Sequence, residues 1–280
     1  MTAIPDSHPT ADPYPMSNAD AHSPDHHAAL AELLDPVTMA RLAELGDSIG
    51  TDWIGATCAD VGSGGGSIAM RLADQVGDDG RVYAIDTDPD QIPDHPRLVR
   101  VQHDIRSGAP LPGDFYDLIV ARLVLSHLPE REAILHRLVD GLAYDGTLMV
   151  ADWAPLRDRQ EIIVAAPSEN AADLYATYQR TVGEVVFDAA GTDRGWARRI
   201  HTVMVSAGLV DVQTHFSGEY WTGGSAGTRF VAAIVKQVRP RLLAAGMTDL
   251  QLNNLLALLH DPGLVIHGHP LYITSGRRPG

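Results

Sequence analysis

From residue 56 onward, apolar and polar positions switch between two rhythms. Short runs of small and β-branched apolar residues, "ATCADV" (56–61), "RVYAID" (81–86), "RLVRVQHD" (97–104), "FYDLIVARL" (115–123) and "GTLMVADW" (146–153), have the length of buried strands. Between them, "GSIAMRLADQVG" (66–77) repeats apolar residues at helical spacing and stops at Gly77. "EREAILHRLVDGL" does the same from a helix start at Pro129, the favoured first helical position. Strands alternating with helices predict a parallel sheet covered on both faces. Before this block, "HAALAELLDPVTMARLAEL" (27–45) is helical in period but interrupted by Pro36, which predicts two short helices.

After Trp153 the rhythm changes. Residues 155–207 read as mainly helical, with "SENAADLYATYQRTV" and "RGWARRIHTVMVSAG" clearest. "LVDVQTHFSGEYW" (209–221) alternates like a strand, two helices follow across 226–245 and 248–259, and "HPLYITS" (269–275) closes with a last strand before a basic tail. Residues 1–25 form a Pro-rich polar lead expected to be flexible, with Tyr14 and Met16 as its apolar exceptions. The organisation read from this is a core of 26–154 with 208–223 and 269–276, and helical cap regions over 155–207 and 224–268.

The 280 residues carry a net charge of -15 and are 45% hydrophobic, the balance of a globular protein whose partner is neither a nucleic-acid backbone nor an anionic membrane. No apolar run approaches the ~18 residues of a membrane span, and the N-terminus lacks a basic and apolar targeting pattern. A cytoplasmic location is expected. The single cysteine, Cys58, lies in an apolar run and reads as buried packing.

"DVGSGGGS" sits between a predicted strand and a predicted helix. Glycines there permit positive φ and let a ligand approach the backbone, and the helix start offers free N–H groups. Asp86 ends the next strand 20 residues beyond Gly66, where a carboxylate can accept from both ribose hydroxyls. The dinucleotide fingerprint is G-x-G-x-x-G, but the glycines here fall at 62, 64 and 66, with Gly65 extra, and Asp60 precedes them. A carboxylate repels a pyrophosphate and attracts an ammonium group. That charge logic favours S-adenosylmethionine over NAD.

Together "DVGSGGGS", "YAIDTDPDQI", "VQHDI", "FYDLIVARLVLSHLPERE" and "DGTLMVADW" resemble a class I S-adenosylmethionine-dependent methyltransferase across about residues 56–153. "HPLYITSGRRPG" resembles the closing strand of the actinobacterial small-molecule type. The resemblance implies an α/β, Rossmann-like seven-stranded sheet whose last strand is antiparallel, with N-terminal helices and a helical cap inserted after the fifth strand.

It further implies that Asp60, Gly62, Ser63 and Gly64 line the methionine end of the donor, and that Asp86 and Thr87 hold the ribose. Asp104 meets the adenine amino group and Ile105 its ring. Ala121 and Arg122 lie beneath the sulfonium and carboxylate. His127, at the mouth, is the first choice for a base, against a helix-capping role. Asp152 is an acceptor-orienting or basic candidate, against Asp117 as a satisfied strand residue. Trp153, Tyr175, Tyr178, Tyr14 and Met16 are candidates for the acceptor pocket, with Phe187, Trp196 and His201 also on the cap. His260, His267 and His269 lack metal-ligand spacing and read as a helix-end loop, so no metal is expected.

The expected activity is methyl transfer to a small aromatic or heteroaromatic metabolite in natural-product biosynthesis, yielding S-adenosylhomocysteine. C-methylation of an indole-type ring is one candidate, and O- or N-methylation remain open. An NAD-dependent oxidoreductase and a catalytically silent donor-binding protein are the competing classes. A monomer or homodimer is expected.

Overall fold

The computed structural model describes Met16 and residues 20–280. The chain opens with α1 (Ser23–Ile49), then alternates β1 (Thr57–Val61), α2 (Ser67–Gln75), β2 (Arg81–Asp86), β3 (Leu98–Gln102), β4 (Tyr116–Arg122), α3 (Arg131–Asp140) and β5 (Leu142–Trp153). Next come α4 (Arg159–Ile162), β6 (Ile163–Ala165), α5 (Glu169–Val182) and a π-helical turn at Gly183–Asp188. The last third holds α6 (Ile200–Ser206), β7 (Val210–Ser217), β8 (Tyr220–Thr222), α7 (Ala226–Gln237), α8 (Arg239–Ala244), α9 (Asp249–Leu258), β9 (Val265–His267) and β10 (Leu271–Arg277).

Seven strands form one sheet in the order β3-β2-β1-β4-β5-β10-β7, and β10 alone runs antiparallel to its two neighbours. This is the α/β, Rossmann-like arrangement with an antiparallel last strand that the sequence led us to expect. Alternate residues of β1 and β4 enter opposite cores, as the two-residue strand period requires. Cys58, Leu118 and Val120 pack with α1 and α2, whereas Ala59, Ile119 and Ala121 pack with α3, α6 and Trp196. A third apolar cluster, with Tyr175, Trp221 and Phe230, lies in the cap. Cys58 is fully buried and its thiol is pushed up to about 12 by that burial, so it is inert packing. Asp117 accepts the Thr57 N–H at 2.8 Å, a structural role at the start of its strand.

Six local expectations are corrected. Residues 27–45 are part of one helix, with Pro36 inside it. Proline removes one backbone donor, but buried contacts on both sides hold the axis. Thr38 Oγ1 donates to the Leu34 carbonyl at 2.7 Å, and Asp35 accepts from Arg71 and Arg122. Helix α3 starts at Arg131, after a turn at Pro129, and β5 starts four residues before Gly146. The stretch 209–221 is two strands: β7 joins the main sheet, while β8 joins a three-stranded sheet ordered β6-β9-β8. The cap is therefore not purely helical, and 220–222 belongs to its sheet. Residues 226–245 break into α7 and α8, because Pro240 stands at a helix start. The presumed basic tail begins inside β10, where Arg277 pairs with Asp211 at 2.9 Å and with Asp145.

Candidate functional site

Strand β1 delivers Asp60 to the carboxyl edge of the sheet, and the glycine turn bends the chain back over it. Gly62 has φ +70°, and a Cβ there would collide with Val124 Cγ2, so only glycine fits. Gly64, at φ +52°, lies against the His27 ring, and its N–H donates to Asp86 Oδ2 at 2.9 Å. Asp86 also receives the Asp88 N–H at 3.0 Å, so the end of β2 braces the turn. Asp60 Oδ2 accepts the Ala69 N–H at 3.1 Å, in the first turn of α2. The helix start thus bonds a carboxylate of its own chain. Burial pushes the Asp60 carboxyl up to about 6 against the pull of the Arg122 guanidinium.

Beneath the turn lies a cavity of about 550 Å³. Asp60, Gly62, Ser63, Gly64, Asp86, Thr87, Asp104, Ile105 and Arg122 all line it, so nine of the ten residues singled out for the donor come together. Ala121 is the exception, sealed in the sheet core at 1% exposure by the alternation that turns Arg122 the other way. Asp104 is gripped by Arg106, whose Nε and guanidinium nitrogens reach both oxygens at 2.9–3.1 Å. That grip holds its carboxyl below the usual range. Arg122 donates to Asp35 Oδ1 at 2.9 Å, to Thr38 Oγ1 at 3.1 Å and to Ser67 Oγ at 3.2 Å. Asp35 thereby locks α1 and α2 to the end of β4.

A second cavity of about 100 Å³ adjoins the first. The two share Met16, His26, Leu30, Leu123 and His127, so these residues form their common wall. Leu123 carries φ +57° at that point, an uncommon backbone for leucine. Trp153, Tyr178, Asp152, Phe187, Phe230 and His269 line the rest. Tyr175 does not: its side chain is buried in the cap core and its hydroxyl accepts from Gln179 at 2.6 Å. Tyr14 lies outside the described residues. Trp196 is fully buried under the sheet, and His201 bonds Thr214 on the exposed side, so neither faces a cavity.

His127 lines both cavities, and its Nδ1 lies 3.1 Å from Thr192 Oγ1. Burial, aided by the Arg131 charge, pushes it down to about 4, which keeps the ring neutral but makes it a weak base near pH 7. Asp152, with no exposed surface, accepts the Ser126 hydroxyl at 2.8 Å and the Ser126 N–H at 3.2 Å. Burial pushes its carboxyl up to about 7 against those bonds. It therefore holds the turn bearing His127 to the end of β5.

Sequence reading passed over His26, His27, Asp35, Phe230 and His269 as site residues. His26 fell between the polar lead and the helical run, His27 opened that run, and His269 was assigned to a helix-end loop. In the structure His269 packs edge-on to Trp153 and Trp221, with ring centroids 5.7 and 5.8 Å away. The doubled histidine opening an amphipathic run was the available signal.

Residues 59–148 match the model of a methyltransferase domain. That domain carries the glycine turn, Asp86, Asp104, Arg122 and His127, and ends inside β5. Two curated proteins of Strobilurus tenacellus align with part of the chain. Methyltransferase str2 is 35% identical over 98 residues, covering 34% of this chain and 35% of its own. Methyltransferase str3 is 33% identical over 94 residues, covering 33% and 34%. The match thus spans about a third of each curated relative, and these relatives are fungal, not actinobacterial. Among solved structures, phosphoethanolamine N-methyltransferase 2 of Haemonchus contortus, in complex with S-adenosylhomocysteine, aligns at 12% identity and a TM-score of 0.47. It covers 81% of this chain and 49% of that one.

Proposed function

We propose that this protein transfers a methyl group from S-adenosylmethionine to a small aromatic or heteroaromatic acceptor. The observation that carries the reading is a cavity of about 550 Å³, under a glycine turn and lined by Asp60, Asp86 and Asp104 among other residues, that meets an aromatic cavity across a shared wall. The residues present fit the donor. A Cβ would fill the cradle at Gly62, and Asp60, Asp86 and Asp104 stand in order along the strand ends, as an ammonium, a ribose and an adenine require. A dinucleotide fits worse, because Asp60 already occupies the α2 N–H that a pyrophosphate would use.

S-adenosylmethionine, when bound, supplies an electrophilic methyl group on its sulfonium. Asp60 would attract the amino group, Asp86 and Thr87 would hold the ribose, and Asp104 with Ile105 would take the adenine. Arg122, neutralised in part by Asp35, would face the carboxylate. Trp153, Tyr178 and Phe230 would hold the acceptor, with Met16 covering the junction. Alignment of acceptor and methyl, with water excluded, provides the acceleration. His127 is kept neutral and would accept a proton only from an acceptor that acidifies strongly as it reacts.

In this reading 26–154 with 208–219 and 269–277 carries the donor, while 155–207 and 220–268 cover the acceptor. Natural-product biosynthesis is the setting we favour, with a small molecule as partner, a monomer or homodimer as assembly, and the cytoplasm as location. An indole-type ring is one acceptor candidate. Among the described residues no helix is long and apolar enough to cross a membrane. Calorimetric titration with S-adenosylhomocysteine, followed by a mass screen of aromatic acceptors for the gain of one methylene, tests the reading. Failure to bind the donor product would end it.

A further inference from the structure

A third cavity, of about 380 Å³, opens at the surface between α1 and the start of α7, and none of the described residues lining it lines the proposed donor cavity. Its apolar side is Leu33, Pro36 and Val37 of α1, and its aromatic side is Trp153, Trp221 and the 64% exposed Tyr220. Trp153, Trp221 and His269 stand edge-on to one another with ring centroids 5.7–6.2 Å apart, so mutual packing fixes the corner they make. The space is well above the roughly 150 Å³ that admits a benzene ring, and falls in the range of small-molecule pockets.

The charge on its rim has one sign. Glu32 and Glu219 line the cavity, and no Lys or Arg does among the described residues. Glu32 is paired with Arg229 at the surface. Glu219 is exposed, and its carboxylate makes no hydrogen bond or ion pair among the described residues. Pro36 adds an acceptor on the opposite side. It stands inside α1 without an N–H, so the Glu32 carbonyl loses its ordinary helical donor, and both residues line the cavity. An organic cation complements this arrangement, since aromatic faces and a free carboxylate both attract it. An anion would meet two like charges there.

We propose that the third cavity binds a primary ammonium group carried on an aromatic body, with the body against Trp153, Trp221 and Tyr220 and the ammonium held by Glu219 and the Glu32 carbonyl. Trp153 and His269 also line the second cavity. The bound amine therefore lies against the far side of the partition that closes that cavity. The inference stands apart from the methyl-transfer reading, because it uses neither the glycine turn nor any carboxylate of the first cavity.

The test uses the full chain and three probes of similar size, phenethylamine, 2-phenylethanol and 3-phenylpropionate, measured by ligand-observed NMR with and without saturating S-adenosylhomocysteine. Phenethylamine is expected to bind saturably, about five- to tenfold more tightly than either of the others. Glu219→Gln changes an exposed side chain that bonds nothing in the fold. It should weaken phenethylamine about three- to fivefold while 2-phenylethanol stays within about twofold. S-adenosylhomocysteine should leave phenethylamine affinity within about twofold, whereas an amine held beside Asp60 would be displaced. The inference is overturned by no saturable binding of phenethylamine, by a neutral or anionic probe matching it, by unchanged affinity in Glu219→Gln, or by displacement with S-adenosylhomocysteine. Failure of S-adenosylhomocysteine to bind would end the methyl-transfer reading alone, and the Glu219→Gln comparison would still decide this one.

Discussion

Replacing Asp152 by asparagine should reverse an energetic penalty that grows with pH. The side chain has no exposed surface, and burial raises its carboxyl from 3.8 to about 7. Between those values the folded protein keeps the proton while the unfolded chain has released it, so the native state loses stability as pH rises through the window. About three pH units at ~1.4 kcal/mol each give a loss of about 4 kcal/mol, of which roughly 2 falls between about pH 5.5 and 7. Asparagine is isosteric, still accepts from Ser126, and does not titrate. The difference in unfolding free energy, variant minus wild type, should therefore rise by about 2 kcal/mol over that interval and flatten above about pH 8. Urea titrations of both proteins across pH measure this directly. Asp60 and the buried histidines titrate in both proteins and cancel in the difference. A pH-independent difference would refute the reasoning. So would a variant losing ground as pH rises, since that would mean the carboxylate is charged and well paired.

Three further perturbations probe the proposed donor site. Gly62→Ala must take φ +70° and push Val124 aside. At about 1–2 kcal/mol for the backbone alone, S-adenosylhomocysteine affinity should fall about tenfold or more by calorimetry, and an unchanged affinity would place the donor elsewhere. Asp86→Ala leaves the Gly64 and Asp88 N–H groups without their acceptor and should weaken the donor product about ten- to a hundredfold, with wild-type affinity as the contrary result. Asp35→Ala strands Arg122, whose side chain is only 11% exposed, and should cost about 3–5 kcal/mol in a urea titration. A loss within about 0.5 kcal/mol would show that Arg122 finds water or another partner.

How far the sequence could be read follows from what each residue answers to. Strands β1 and β4 were visible because both faces are buried, leaving apolar runs that no exposed element would carry. The residues that line the first cavity were visible for a related reason: the turn after β1 and the ends of β2, β3 and β4 fall in one stretch of chain, in fixed order. Pro36 misled because a helix rule reads only the local donor, whereas Asp35 and Thr38 are anchored from β4 and α2. β8 was merged with β7 because alternation is the same in both, and nothing local shows that the chain changes sheets after Ser217. The second cavity was least legible. Its walls come from α1, the end of β5, the π-helical turn and α7, segments up to about two hundred residues apart. Tyr175 and Tyr178 share a helix, yet only Tyr178 reaches the cavity, because Tyr175 is turned into the cap core.

The central claim is that the glycine turn and its three carboxylates form a methyl-donor site. A calorimetric titration of the purified chain with S-adenosylhomocysteine, repeated in the presence of excess NAD, tests it most directly. The account predicts saturable one-to-one binding of the donor product, unaffected by NAD and weakened in Asp86→Ala. Absence of binding, or displacement by NAD, would contradict it.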